Sequence, residues 1–108
     1  MASNPTEYFA EKAAQLESRA GALAGLNAAY QFNLTGDTGG SWVIEIRPDK
    51  KEVRVGVEEG CQCAITMTDK DFMAMVSGGL NPQMAFMTGK LRVKGDMGLA
   101  LKLQTILT

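Results

Sequence analysis

Alternation of apolar and polar residues with a period of two is the feature that most restricts the fold of this chain. Apolar side chains occupy every second position in four successive segments, from Tyr30 to Leu34, Trp42 to Ile46, Val53 to Val57 and Cys61 to Met67. This pattern is typical of half-buried β-strands, and glycine-rich or charged turns separate the segments. We therefore predict an antiparallel sheet with one apolar face covered and the other left to solvent.

A helix is predicted before the first strand. Asn4 suits the N-cap position, Pro5 suits the first helical position, and Glu7 completes a capping arrangement. Apolar residues then recur at helical spacing, and the helix is expected to end around Gly25. The expected buried stripe consists of Phe9, Ala13, Leu16, Ala20 and Leu23.

Short helices and one more strand are predicted after the fourth strand. Thr68 and Asn81 suit the N-caps of two short helices, and Asp96 caps a final helix over residues 97–107. The segment Lys90 to Lys94 alternates with a period of two and forms a fifth strand. The predicted fold class is α+β, with a five-stranded, mostly antiparallel sheet covered on one face by helices.

Composition restricts the possible chemistry. The 108 residues form one domain, 1–108, with a net charge of −1, no histidine and two cysteines, Cys61 and Cys63. The absence of histidine removes histidine-dependent catalytic triads and histidine-ligated zinc, and two cysteines do not make a disulfide framework. We expect no enzymatic activity, no metal, no cofactor and no nucleic-acid partner. A chain without a signal sequence or a long apolar run is expected to be cytoplasmic.

The predicted final helix is apolar around most of its circumference, with Lys102 as its single charge. A ligand, a partner chain or the first helix must cover its second face. Methionines also concentrate after the third strand, which favours an adaptable apolar cavity, although methionine also fills gaps in ordinary cores. They lie at positions 67, 73, 75, 84, 87 and 97.

Three segments carry a resemblance to a known family: Tyr30–Leu34, Asn81–Met87 and Gly89–Leu103. The motifs N-P-Q-M-A-F and G-K-L-R-V-K-G-D-M-G-L-A resemble those of the sterol carrier protein two family. The resemblance covers essentially the whole chain. It implies an apolar tunnel between the sheet and the helices that binds a fatty acid, a fatty acyl-CoA or a sterol, and it implies a role in lipid transfer.

The expected lining comes from inward residues of the sheet and from the later helices. The candidates are Ile46, Met67, Phe72, Met75, Met84, Phe86, Met87, Leu99, Leu103 and Ile106. Four polar residues are candidates for contact with the ligand's headgroup. These are Gln83, Lys90, Arg92 and Lys94. Each also has an ordinary interpretation, since core packing explains the apolar residues and a solvated surface explains the polar ones.

Two functions remain open on the sequence. The first is intracellular lipid binding and transfer, with the lipid as partner and transient membrane contact left open. The alternative is a non-enzymatic interaction or dimerisation module that uses the apolar C-terminal helix. The sequence leaves the oligomeric state undetermined between monomer and homodimer.

Overall fold

The computed structural model describes residues 4–15, 27–48, 50–100 and 102. Helices and strands follow the predicted order within these ranges. The elements are α1 (Pro5–Gln15), β1 (Ala28–Thr35), β2 (Gly40–Arg47), β3 (Lys50–Val55), β4 (Cys63–Thr68), α2 (Asp69–Val76), α3 (Pro82–Met87), β5 (Arg92–Gly95) and α4 (Met97–Ala100).

The five strands form one sheet in the order β3-β2-β1-β4-β5. Three of the four pairings are antiparallel, and the β1–β4 pairing is parallel, so the sheet is mixed. The prediction of a mostly antiparallel, five-stranded sheet is confirmed, with one parallel pairing between β1 and β4. β3 and β5 lie at the two opposite edges.

Part of the sheet's outer face is also covered, contrary to the expectation of cover on one side only. The connection from β3 to β4 must pass β2 and β1, and it does so over the outer face. The Gln31 side-chain amide donates to the Gly56 carbonyl over 3.0 Å, and its oxygen accepts from the Glu58 N–H over 2.8 Å. Gln31 and Val43 are consequently buried on this face.

An aromatic cluster packs α1 onto the inner face. The Phe9 ring stacks on Trp42 with centroids 4.7 Å apart and on Phe72 with centroids 5.3 Å apart. Phe32 meets both phenylalanine rings edge-on. Stacked and edge-on pairs are the favourable arrangements of aromatic rings, so this cluster fixes α1 and α2 over β1 and β2.

The N-cap of α1 is confirmed, but its buried stripe differs from the prediction. The Glu7 N–H donates to the Asn4 side-chain oxygen over 2.9 Å. Lys12 is buried and Ala13 is exposed, because the helix turns the face of Phe9 and Lys12 to the sheet. The rest of the predicted stripe lies outside the described residues.

The caps of the two short helices are confirmed. The Asp71 N–H donates to Thr68 Oγ1, and the Gln83 N–H donates to Asn81 Oδ1. β5 begins two residues later than predicted. The reason is that the N–H groups of Lys90 and Leu91 both donate to the Ala85 carbonyl at the end of α3.

Three residues predicted to be buried are not. Val55 pairs with Trp42 at the end of β3 but is exposed, and Val57 is exposed after Gly56, whose φ of +125° turns the chain to the outer face. Cys61 precedes β4 and is half-buried, with its thiol near the Glu58 carbonyl. Most of the predicted final helix lies outside the described residues.

Candidate functional site

The inner face of the sheet has two halves of different character. Over β1 and β2 the cover is the aromatic cluster of α1. Over β4 and β5 the cover consists of α2, α3 and α4, each of eight residues or fewer in the part that the structure describes. Short, separate helices pack less continuously than one long helix, so this half of the interior is the candidate for taking up a ligand.

Flexible and aliphatic side chains fill the half over β4 and β5. Met67 on β4 and Met75 on α2 are almost fully buried, at 4% exposure each. Val93 on β5 and Leu99 on α4 are half-buried and pack on the same core. Methionine adjusts to irregular spaces because its side chain is unbranched and polarizable, so this region can repack around an apolar guest.

A buried polar contact ties α4 to the sheet. The Tyr30 hydroxyl donates to the Leu99 carbonyl over 2.9 Å, and the Tyr30 side chain is fully buried. Burial raises the pKa of Tyr30 well above its usual value, with the neighbouring Cys63 and Asp96 adding to the effect. The hydroxyl therefore stays protonated and remains a donor at neutral pH.

The structure brings five of the ten predicted lining residues to the interior. Ile46, Met67, Phe72 and Met75 are buried members of the core, and Leu99 packs against it. Leu103 and Ile106 lie outside the described residues. Met84, Phe86 and Met87 lie on the surface, apart from these five residues.

Helix geometry explains why Met84, Phe86 and Met87 face outward. Ala85 is the buried residue of α3, and successive residues of a helix differ by about 100° in direction. Met87 therefore points almost opposite to Ala85, with Met84 and Phe86 to either side. Met87 is 73% exposed, Met84 54% and Phe86 44%.

Two of the four predicted polar residues share a pocket near the β5 edge. Lys90 and Arg92 line a half-open pocket of about 390 Å³ together with hydroxyl groups and one carboxylate. The other lining residues are Thr35, Thr66, Met67, Thr68, Asp71 and Gly89. Lys94 lies on the exposed side of β5, and Gln83 is exposed on the first turn of α3.

The buried thiol is not poised for nucleophilic chemistry. Burial, with a smaller effect of Asp96, raises the pKa of Cys63 to about 11. A thiol with a raised pKa carries almost no thiolate at neutral pH, and the thiolate is the reactive form. Cys63 therefore acts as a small apolar residue beneath α4.

Several residues of this region were not singled out from the sequence. Tyr30, Leu91, Val93 and Ala100 all contribute to the core beside the candidate residues. Leu91 and Val93 had a usable signal, since they are the apolar positions between Lys90, Arg92 and Lys94. The Tyr30–Leu99 contact has no such signal, because it joins residues 69 positions apart.

Comparisons with known proteins agree on one family. A model of the SCP-2 sterol transfer family matches residues 9–108. The chain is 42% identical over 87 residues to hydroxysteroid dehydrogenase-like protein 2 of Xenopus laevis, an alignment with 80% of this chain and 21% of that protein. It is 37% identical over 84 residues to sterol carrier protein 2 of Gallus gallus, covering 75% of this chain and 15% of that one.

A solved structure supports the same assignment. The fold matches apo sterol carrier protein 2 of Yarrowia lipolytica with a TM-score of 0.75 and 28% identity, covering 94% of this chain and 84% of the other. A mixed five-stranded sheet with a helical cover is thus the fold of a sterol-carrier-type domain. The chain belongs to the SCP-2 sterol transfer family. In its described residues, every helix is too short or too polar to span a bilayer.

Proposed function

We propose that this chain binds a lipid in the interior over β4 and β5 and transfers it between lipid-containing environments. The observation that carries the proposal is the family match over residues 9–108, combined with a soft apolar interior under short helices. The lipid is a fatty acid, a fatty acyl-CoA or a sterol. A tunnel that encloses it remains a prediction.

The lining of the proposed site centres on residues that the interior already holds. Met67 is buried on β4 and Met75 on α2, and Leu99 is half-buried on α4. An apolar chain entering between them would replace side-chain contacts with ligand contacts, which burial of apolar surface favours. Leu103 and Ile106 remain candidates for the same lining.

Lys90 and Arg92 remain candidates for contact with a negatively charged part of the ligand, although Arg92 pairs with Thr66 on the outer face of the sheet and the pocket also holds the Asp71 carboxylate. Both side chains are basic, and three threonines supply hydroxyl groups around them. Charge-assisted hydrogen bonds from basic side chains to a carboxylate or a phosphate are stronger than neutral ones. Lys94 and Gln83 remain candidates at the margin of this region.

The proposed activity needs no covalent step. The curated relatives include proteins named as dehydrogenase-like, but the chain spans only 21% and 15% of the two relatives described above. We propose that this chain contributes lipid binding and no catalysis. A cytoplasmic location remains the prediction from the sequence.

Mass spectrometry of an organic extract from gently purified protein tests the proposal, with an equally treated unrelated protein as control. We expect a fatty acid, an acyl-CoA or a sterol in near-stoichiometric amount. A ligand that binds the folded state also raises the melting temperature, so added fatty acid should stabilise the delipidated protein. An empty extract together with an unchanged melting temperature for all three lipid classes would contradict the proposal.

A further inference from the structure

The strand β3 forms one edge of the sheet, and its backbone groups point alternately to β2 and to the open side. β2 and β3 are antiparallel, and the Gly56 N–H donates to the Ser41 carbonyl over 2.9 Å. Hydrogen-bonded pairs alternate along an antiparallel ladder, so every second residue from Gly56 back along β3 bonds to β2. The N–H and C=O groups of Lys51, Val53 and Val55 therefore point to the open side.

This open edge is not used by the rest of the protein. In the part of the chain that the structure describes, no hydrogen bond to another element uses these backbone groups. Val55 adds apolar surface at the edge, since it is 84% exposed, and Val53 on the same face is half-buried. An open edge is a template for pairing with another strand, and charged side chains are a common protection against it. β3 carries four charged residues, so the outcome depends on which charges they would face.

Symmetric pairing of β3 with a second copy of itself has one register that suits both the backbone and the side chains. In such a contact the strand meets its own counterpart about a two-fold axis. With the axis at Val53, this residue lies opposite Val53 of the second copy, and Lys51 lies opposite Val55 of the second copy. These are the residues whose N–H and C=O groups point outward, so they form the hydrogen-bonded pairs between the copies.

The same register sets opposite charges across the contact. Glu52 lies opposite Arg54 of the second copy, and Arg54 lies opposite Glu52 of the second copy, on the outer face of the sheet. Opposite charges on facing strands stabilise a sheet, and like charges destabilise it. The Glu52 and Arg54 side chains are 39% and 28% exposed within the ion-pair network around Glu45. The networks of the two copies therefore meet across the axis.

The other symmetric registers fit less well. An axis at Lys51, Glu52 or Arg54 sets two identical charges face to face, which destabilises the pairing. An axis at Val55 extends the pairing past Gly56, whose φ of +125° turns the chain away from the strand. The register about Val53 is therefore the favoured one.

The opposite edge of the sheet does not offer the same fit. β5 has four residues, and Val93 lies between Arg92 and Lys94. Symmetric pairing about Val93 would set Arg92 opposite Lys94 of the second copy, and like charges on facing strands destabilise pairing. The two edges therefore differ in their fit to a second copy.

We infer that β3 is a dimerisation edge, at which two copies of this chain join their sheets antiparallel about a two-fold axis at Val53. A second copy fits this edge better than an unrelated strand because the charges of β3 complement themselves. The candidate lipid site over β4 and β5 lies towards the other edge, so the dimer leaves it accessible in both copies. The contact is short, so association is weak and depends on concentration.

Sedimentation velocity of the full chain between about 10 μM and about 1 mM tests the inference. We expect the sedimentation coefficient to rise with concentration from that of a monomer towards that of a dimer. Hydrogen exchange then locates the contact. Exchange at the amides of Lys51, Val53 and Val55 should slow at high concentration, whereas exchange at the Glu52 amide, which faces β2, should change less. A chain that stays monomeric over this range, or that dimerises without slowing these three amides, would overturn the inference.

Val55→Lys and Val55→Glu form a matched pair of variants. Both replace the same exposed valine, so neither should disturb the monomer, and they differ in the sign of the charge that faces Lys51 of the second copy. Val55→Lys should weaken dimerisation about tenfold through two like-charge contacts, and Val55→Glu should dimerise at least as tightly as the unchanged chain.

A compensating variant tests the register itself. Lys51→Glu combined with Val55→Lys sets opposite charges across the axis again, and it should restore the dimerisation that Val55→Lys loses. Equal dimerisation of the Val55→Lys and Val55→Glu variants, or no restoration by the double variant, would overturn the inference.

Discussion

The carboxylate of Asp69 occupies the space that a side chain at Gly36 would fill. Gly36 opens the β1–β2 turn with φ +106°, and Asp69 is the first residue of α2. The same carboxylate accepts hydrogen bonds from the N–H and the hydroxyl of Thr38, over 3.0 and 2.6 Å. The contact therefore joins the turn to the start of the helix that covers the candidate site.

Gly36→Ala is expected to lower the free energy of unfolding by about 2–3 kcal/mol, from backbone strain at positive φ and from displacement of the Asp69 carboxylate. Gly78→Ala is the control, because Gly78 also has a positive φ, +91°, but nothing lies within 4 Å of the added carbon. It should cost about 1 kcal/mol from strain alone. Denaturant unfolding measures both, and equal losses would show that the Asp69 contact is unimportant.

Local sequence signals predicted the elements well because their causes are local. The caps at Asn4, Thr68 and Asn81 depend on a side chain and an N–H group two or three residues apart. Alternation likewise fixes which face of a strand is buried, as the burial of Tyr30 and Ile44 illustrates. These features can be derived without knowing which strands are neighbours.

Features that depend on distant pairing could not be predicted in the same way. The parallel pairing of β1 with β4 sends the β3–β4 connection over the outer face, where it buries Gln31. Alternation marks Gln31 as a polar, outward residue and gives no sign of that cover. The same limit applies to the candidate site, since helical spacing alone did not reveal that Ala85 would turn Met87 to the surface.

Tyr30→Phe tests the contact between β1 and α4. The substitution removes the hydroxyl that donates to the Leu99 carbonyl, and this carbonyl keeps a second donor, the Lys102 N–H at 3.1 Å. We expect a loss of about 1 kcal/mol in the free energy of unfolding, the usual net value of one hydrogen bond. Hydrogen exchange at the Ala100 amide should accelerate more than exchange at the centre of β2. Unchanged exchange at Ala100 would contradict a role for Tyr30 in holding α4.

Met75→Ala tests which half of the interior takes up the lipid. Deleting a buried methionine side chain leaves a cavity and is expected to cost about 2–4 kcal/mol in the unliganded protein. Ile44→Ala is the control, because Ile44 is also buried but lies on β2. Saturating fatty acid should restore more of the melting temperature in Met75→Ala than in Ile44→Ala, since the ligand fills space beside α2. Equal restoration in the two variants would argue against a site over β4 and β5.

Acidification should weaken the ion-pair network on the outer face, with Glu45 at its centre. The Glu45 carboxylate lies 2.9 Å from Arg54 Nη1 and 3.1 Å from Arg47 Nε. These partners, Arg54 foremost, lower the pKa of Glu45 to about 2, against about 4.3 for an unperturbed glutamate. A carboxyl whose pKa is lower in the folded state than in the unfolded state stabilises the protein at pH values above its unfolded-state pKa. That stabilisation is lost as the pH falls through the pKa of the folded state.

Glu45→Gln removes this pH-dependent contribution and should be less stable than the unchanged chain at neutral pH. The difference in free energy of unfolding between the two proteins should shrink as the pH falls from about 4.3 towards about 2, because protonation of Glu45 then makes the two side chains alike in charge. Denaturant unfolding at several pH values measures the difference. A difference that stays constant across this range would show that the ion pairs of Glu45 contribute nothing to stability, and it would assign the effect of the substitution to packing on β2.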